Sequence, residues 1–383
     1  MAHSHSEEGA AERLSMIRET ALQFAEREIR PLAAELDESE RFPAELYEKM
    51  AALGMFGVTI PESQGGVGAD TQAYAHIMEA LAKGYAAIAD HYGLVELVAT
   101  LLARHGMQEQ QARYLRPLLA AKLKCAYAIT EPEGGSDVAA IKTAAVETRE
   151  GWRLSGSKMW IHNGPIADFA VVLARSDPDL GKRGMSIFLV DRDLPGFKNG
   201  RKEKKMGQRG SALGALYFDE VPLPRSALLG PKNRGFPMMM SVLDKGRVGI
   251  AALAVGILDA ALEAAVAYAK SRRQFGRPIA DFQAVQWMLA DMAKDTHAAR
   301  LMTLHAAALL DRGERASSEA AMAKCFASDA AVEHTANAVQ IHGGLGYIRG
   351  IEVERLYRDA KITQIYEGTN QIQRLIIARR LLA

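Results

Sequence analysis

The stretch Ile365-Tyr366-Glu367-Gly368-Thr369-Asn370-Gln371 sets a carboxylate between an aromatic residue and a glycine, just ahead of an amphipathic run. A base held there can lie rigidly beside a flat ligand, and the glycine lets another backbone or a cofactor approach closely. An ordinary turn uses the same residues. In CAYAITEPEGGSD, Cys125 to Asp137, a strand runs into a turn built on Pro132, Gly134 and Gly135, whose N–H groups can cradle an anion. Tyr127, Ile129 and Thr130 then offer an aromatic ring, an apolar surface and a hydroxyl along one strand, and Ser136 adds a second hydroxyl. That set suits a planar heterocycle with polar edges, and a surface hairpin equally. KMWIHNG, Lys158 to Gly164, supplies a stacking face at Trp160, a titratable imidazole at His162 and a tight turn at Asn163-Gly164. RRQFG, Arg272 to Gly276, places arginines where they could offset a helix dipole or grip phosphate, with Phe282 and Gln283 just beyond. QIHGGLG, Gln340 to Gly346, permits close backbone approach or simply ends a helix.

Three regions position these segments. The 383 residues are 49% hydrophobic and 24% charged, as in a soluble globular protein with a large core. A net charge of +1 favours neither nucleic acid nor an anionic membrane as a bulk partner. Cys125 and Cys325 stand alone, so no disulfide framework and no metal-ligand spacing arises, and a reducing, cytoplasmic setting fits. The N-terminus lacks an apolar signal segment, and His3 and His5 read as part of a solvated end. Residues 1–122 read as helices, with apolar spacing over Ala11 to Phe24, Ala44 to Leu53, Thr71 to Leu81, Gly93 to His105 and Glu109 to Ala121. Residues 123–232 shift to a period of two, with short strands at Cys125 to Thr130, Gly151 to Ser155, Phe169 to Ala174, Met185 to Val190 and Ala215 to Asp219, a small barrel-like β domain. Residues 233–383 return to helix. Gly249 to Arg273, capped at Gly276, is followed by Phe282 to Asp311, Ser317 to Gln340 and Thr369 to Leu382, a four-helix bundle. Asp259 and Glu263 interrupt the apolar tract Val248 to Ala269, which reads as a bundle helix and not a membrane span. The fold class expected is α+β, mainly α.

Taken in order and spacing, these segments resemble the acyl-CoA dehydrogenase family over essentially the whole chain. The likeness includes Ile60-Pro61 with Gly65-Gly66, Lys205 to Ser211, and Leu243-Asp244-Lys245-Gly246-Arg247. It implies a helical domain, a β domain and a four-helix bundle assembled as a homotetramer, binding FAD in extended form. By similarity Tyr127, Ile129, Thr130, Gly135 and Ser136 line the flavin, and Ser136 also faces the CoA thioester. Trp160, Ile161 and His162 would flank the isoalloxazine. Arg272, Gln274 and Phe275, with Gln283, Gln340, Gly343 and Gly344, would reach the FAD pyrophosphate of a neighbouring subunit. Gly368, Thr369 and Gln371 would complete that site, and Asp244 and Arg247 would line the acyl-CoA channel.

Glu367 matches the family's base. It would remove the α-proton of an acyl-CoA thioester while a β-hydride passes to flavin N5, leaving a trans-2-enoyl-CoA, as in fatty-acid β-oxidation. Burial beside an acyl chain should raise its pKa. Some family branches place the base at the position of Gly246, which has no side chain, so the chain resembles the short- and medium-chain type. Nitroalkane oxidases and flavin monooxygenase relatives lack this Glu. One departure stands out: His162 occupies a position that is usually Thr or Ser. The resemblance implies an electron-transfer flavoprotein as acceptor. An oxygen-reducing oxidase-like relative and a catalytically silent acyl-CoA-binding homologue are the alternatives.

Overall fold

The computed structural model describes residues 2–382, and the side chains of His3 and His5 lie outside the described residues. The N-terminal region is helical: α1 (Ala2–Phe24), α2 (Ala33–Ser39), α3 (Ala44–Ala52), α4 (Thr71–Gly84), α5 (Ala86–His105), and α6 (Gln108–Gln110) joined to α7 (Arg116–Leu119) through a π turn. Asp70 starts α4 by accepting a 2.7 Å bond from Ala73 N, as expected of an aspartate N-cap. Gly93 does not open a helix; it lies inside α5, where a Cβ would press on Met78 and on the Tyr74 hydroxyl at 3.5 Å. A small residue is needed there because α4 packs closely against α5.

Eight strands follow: β1 (Cys125–Ala128), β2 (Ala144–Glu147), β3 (Gly151–His162), β4 (Phe169–Arg175), β5 (Met185–Asp191), β6 (Phe197–Lys202), β7 (Leu213–Pro224) and β8 (Leu228–Leu229). They form one mixed sheet in the order β6-β7-β3-β2-β4-β5-β8, with β1 parallel to β4. β3 and β7 are each 12 residues long, well beyond the short runs that alternation suggested, because register shifts at Leu154/Gly156 and Lys158/Ile161 break the alternation of β3, and Glu220, at φ +49°, breaks that of β7. Two cores explain the apolar runs of β4 and β5. Ala170, Val172, Phe188 and Val190 point into the sheet's own core with Trp152 and Phe218. Phe169, Val171, Leu173, Ile187 and Leu189 point the other way, into the helical core. A strand buried on both faces loses its polar alternation. The sheet thus curls around its own core as expected, and it stays open, since β6 and β8 do not pair.

The C-terminal region holds α8 (Gly235–Ser271), β9 (Arg273–Gln274), β10 (Arg277–Pro278), α9 (Gln283–Asp311), α10 (Ser317–His342), α11 (Glu352–Lys361) and α12 (Asn370–Leu381). Two expectations need correction. α8 stops at Ser271, and Gly276, at φ +82°, turns the small β9–β10 hairpin instead of capping the helix. α11, a fifth helix, was hidden because its mean composition is polar; only Val353, Arg355, Leu356, Asp359 and Ala360 face inward. α5 and α8 are long and apolar enough to cross a membrane by length and composition, yet 83% and 67% of their most apolar windows are buried inside the protein. Both serve as central core helices, with α8 packed against α4, α5, α9 and α10. The site is built where α5, α8, α10 and β1 approach the loop before α12.

Candidate active site

Glu367 sits at φ +53° and is followed by Gly368 at φ +87°. A glutamate with positive φ is strained by about 1–3 kcal/mol, so the surroundings must hold it. They do so from behind. Gln373, fully buried, donates 3.1 Å and 2.8 Å bonds to the carbonyls of Glu367 and Gly368. Lys324 Nζ, from α10, donates to Gly368 O at 2.8 Å and to Asn370 Oδ1 at 2.9 Å. Asn370 donates to Asp329 at 2.7 Å, and Arg374 grips the other oxygen of Asp329 at 2.7 Å. The Thr369 hydroxyl accepts from Ile372 N at 3.3 Å, capping α12. Gln371 is exposed and makes no such tie. The loop is thus fixed by Lys324 and Gln373, neither of which was legible as a site residue.

The carboxylate points forward into the protein. Oε2 is buried and has no hydrogen-bond partner. It lies 2.9 Å from where a Cβ on Gly246 would stand, and Leu97 Cδ1 lies 3.7 Å from the same point. Gly246 therefore makes room for the Glu367 carboxylate between α8 and α5. Burial pushes the Glu367 pKa up to about 7; the Arg247 and Lys324 charges oppose that shift, and Asp90 adds to it. A carboxylate poised near neutrality can serve as a general base. Arg247 reaches Asp244 at 2.5 Å, and Ser317 donates to the other Asp244 oxygen at 2.5 Å. Arg247 Nε is buried and unpartnered. Asp244 and Arg247 thus stand together on α8, one turn apart and on either side of Gly246 in sequence.

The remaining expected residues fall into two groups. Along β1 and β3, Met159 N donates to Thr130 O at 2.9 Å, and buried Lys158 bridges Ile129 O and Glu131 Oε1, both at 2.8 Å. That bridge sews the two segments edge to edge. β3 bulges between Lys158 and Ile161, where Trp160 takes φ +53° and stays 58% exposed. Its indole faces outward. Tyr127 OH is buried and unpartnered, while Gly135 and Ser136 are exposed at the adjoining turn. Ile161 is buried. His162 faces inward onto His91 and Asp90, pairing its two ring nitrogens at 3.1 Å each. The second group, Arg272, Gln274, Phe275, Gln283, Gln340, Gly343 and Gly344, lies on the surface. Phe275 is 92% exposed, and none of the seven bonds to the Glu367 loop among the described residues.

The residues present suit FAD: the exposed indole of Trp160, the unpartnered phenol of Tyr127 and the open Gly135-Ser136 turn would supply a stacking face and polar partners to a planar ring. Comparison with known proteins agrees. Models of the N-terminal, middle and C-terminal domains of acyl-CoA dehydrogenase match residues 11–122, 126–221 and 233–382. The chain is 45% identical to an acyl-CoA dehydrogenase of Bacillus subtilis, covering 96% of this chain and 97% of that one. It is 42% identical to the caffeyl-CoA reductase-Etf complex subunit CarC of Acetobacterium woodii, covering 97% and 99%. Among solved structures, butyryl-CoA dehydrogenase from Megasphaera elsdenii superposes with a TM-score of 0.93 at 38% identity over 97% and 98% of the two chains. With all three domains matched and a glutamate whose buried Oε2 faces a glycine on α8, the chain belongs to the acyl-CoA dehydrogenase family.

Proposed function

We propose that this FAD-dependent acyl-CoA dehydrogenase uses Glu367 to remove the α-proton of its thioester. The carrying observation is the unpartnered Oε2, buried and facing the space beside Gly246. A buried acceptor without a donor is destabilising unless a ligand supplies one, and an acidic α-C–H presented there meets that need. The C–H electron pair passes into the thioester as the O–H bond forms on Glu367. Strain at φ +53° and the Lys324–Gln373 clamp fix the carboxylate's direction, so little reorganisation is needed when substrate arrives. Bound FAD supplies the acceptor for the β-hydride. Tyr127, Ile129, Thr130, Ser136, Trp160, Ile161, His162, Gly368 and Thr369 would hold its flavin end in one chain. Arg272, Gln274, Phe275, Gln283, Gln340, Gly343 and Gly344 would meet it from a second copy. Supporting that copy, Phe275, Trp287 and Leu301 are large apolar side chains left exposed around α9. A homotetramer and an electron-transfer flavoprotein acceptor complete the reading; the Etf complex named for the Acetobacterium relative supports the latter.

The same relative, named a reductase, favours a second reading in which an enoyl-CoA is reduced and Glu367 returns the proton to the α-carbon. Glu367→Gln tests the base in either direction. The variant should keep its FAD yet lose acyl-CoA bleaching and enoyl-CoA reoxidation by several orders of magnitude; wild-type rates would remove Glu367 from the chemistry.

A further inference from the structure

Three titratable groups beside the Glu367 loop are joined in a row, His91 buried and Asp90 and His162 largely so. Asp90 and His91 are neighbours on α5, and His162 ends β3. His162 Nδ1 lies 3.1 Å from Asp90 Oδ2, His162 Nε2 lies 3.1 Å from His91 Nδ1, and His91 Nε2 lies 3.2 Å from the Gly210 carbonyl. The carbonyl sets the order of hydrogens, because it can only accept. His91 therefore carries its hydrogen on Nε2 and offers a bare Nδ1. His162 must donate to that nitrogen from Nε2. One hydrogen then has to lie between His162 Nδ1 and Asp90, either on a carboxylic acid or on an imidazolium facing a carboxylate. In both cases the row holds one proton more than a carboxylate with two neutral imidazoles. Losing it leaves an Asp90 oxygen facing a lone pair, or shifts every hydrogen along and leaves His91 Nε2 bare before the Gly210 carbonyl. Each outcome breaks a buried hydrogen bond.

The surroundings favour the acid form. Burial pushes Asp90 up to about 6, against the Lys205 and His91 charges. Burial, with Lys205 adding to it, holds both imidazoles down at about 3; His162 further lowers His91, and Asp90 and the Gly210 bond oppose. Lys205 is thus the cation facing all three, itself influenced by Asp90, Asp359, Lys202 and Glu40. Phe42 and Tyr47 pack edge-on against His91. On the far side Asp90 acts on Glu367, Tyr366 and Tyr74.

We propose that Asp90, His162 and His91 store one proton beside the flavin site and tie the flavin's midpoint potential to pH through it. This rests on the reading that β3 residues Trp160 to His162 border FAD. Negative charge arriving next to the row makes it hold its proton more tightly, so just above pH 6 the row takes one up from solvent.

Asp90→Asn provides the test, since the amide still donates to His162 Nδ1 but carries no titratable proton. The FAD potential of wild type and variant would be measured spectroelectrochemically from about pH 5 to pH 9. Wild type should show an added segment above pH 6 in which the flavin equilibrium constant falls a further tenfold per pH unit, ~30 mV for a two-electron couple, and the variant should lack it. In parallel, an infrared carboxylic-acid band present at pH 5 in wild type should be missing from the variant, which reads the stored proton independently of the flavin. Superimposed potential curves with the band present would overturn the coupling and count against FAD lying along β3. A wild type that shows at pH 5 neither that band nor an imidazolium signal from His162 would overturn the stored proton itself, and this reading needs no variant. Glu367→Gln bleaching is a separate readout, so failure of the base assignment and failure of the relay are distinguishable.

Discussion

Gly246→Ala separates the chemistry of the site from the stability of the fold. Gly246 lies inside α8, a helix of 37 residues, where alanine is favoured over glycine by about 1 kcal/mol. The added Cβ would stand 2.9 Å from Glu367 Oε2, 3.5 Å from its Cδ and 3.7 Å from Leu97 Cδ1. Ordinary contact begins near 3.4 Å, so the carboxylate oxygen must retreat by about 0.5 Å, 3.4 less 2.9. Nothing else need move, since that oxygen is the free end of a side chain and no backbone atom is within reach of the new methyl. A reacting group displaced by about 1 Å loses on the order of a hundredfold in rate, so half that shift predicts roughly tenfold, or ~1.4 kcal/mol on the barrier. The assay is anaerobic stopped-flow bleaching of the bound flavin by acyl-CoA, paired with thermal unfolding of the same preparation. The expected result is a bleaching rate down about tenfold in a protein that melts no lower than wild type. A rate within twofold of wild type would show that substrate does not meet Glu367 across the Gly246 gap, and a clear drop in melting temperature would show that the methyl meets something less yielding than a carboxylate.

Three further outcomes follow from the same geometry. Glu367, raised to about 7 by burial, should make bleaching fall about tenfold per unit below pH 7 and level off above it; a flat profile from pH 6 to pH 8 contradicts a titrating base. Its folded-state value lies above the unfolded 4.5, so its contribution to stability is full below pH 4.5 and lost as pH rises to 7. Glu367→Gln should accordingly gain stability over wild type at pH 8, on the order of 3 kcal/mol at most, measured by denaturant unfolding. Lys324→Met strips the donor from Gly368 O and Asn370 Oδ1, so unfolding should cost about 1–3 kcal/mol less and the bleaching midpoint should move to higher pH; an unshifted midpoint refutes the electrostatic link. Arg272→Ala should release FAD on gel filtration and weaken subunit assembly, whereas full flavin retention would count against a phosphate grip from a second copy.

Local chemistry was legible wherever a segment carries its own constraint. Glu367-Gly368 and Asn163-Gly164 announce turns, and both prove to have positive φ at the non-glycine residue. Strand runs at β4 and β5 were readable because burial on both faces makes them continuously apolar. Trp160 was legible as a stacking face, but its exposure depends on a bulge that only the β3–β7 register defines. α11 escaped because its apolar stripe is narrow and its charges are spent on Asp37 and Glu354, through Arg358, a pairing made across 321 residues.

The residues that govern the site were illegible for a common reason: each acts through a partner brought close only by the fold. Lys324 lies in an alanine-rich helix and looks like a solvated charge, yet it is buried with its ammonium on the Gly368 carbonyl, and burial pushes it down to about 8. Gln371, beside the recognised segment, points outward, while Gln373 two residues on carries the loop. His162 was visible as an anomaly in a familiar segment, but its meaning lies 71 residues away in His91, whose own meaning lies in the Gly210 carbonyl. A histidine at that position must find two partners for its two ring nitrogens. Asp90 and His91 meet both needs, which ties the departure at residue 162 to two residues on α5. Replacing the imidazole with His162→Thr leaves Asp90 and His91 each short of a partner, so the threonine should lower the thermal unfolding midpoint, and replacing Asp90 and His91 together should recover it; an unchanged midpoint in the single variant would refute the pairing.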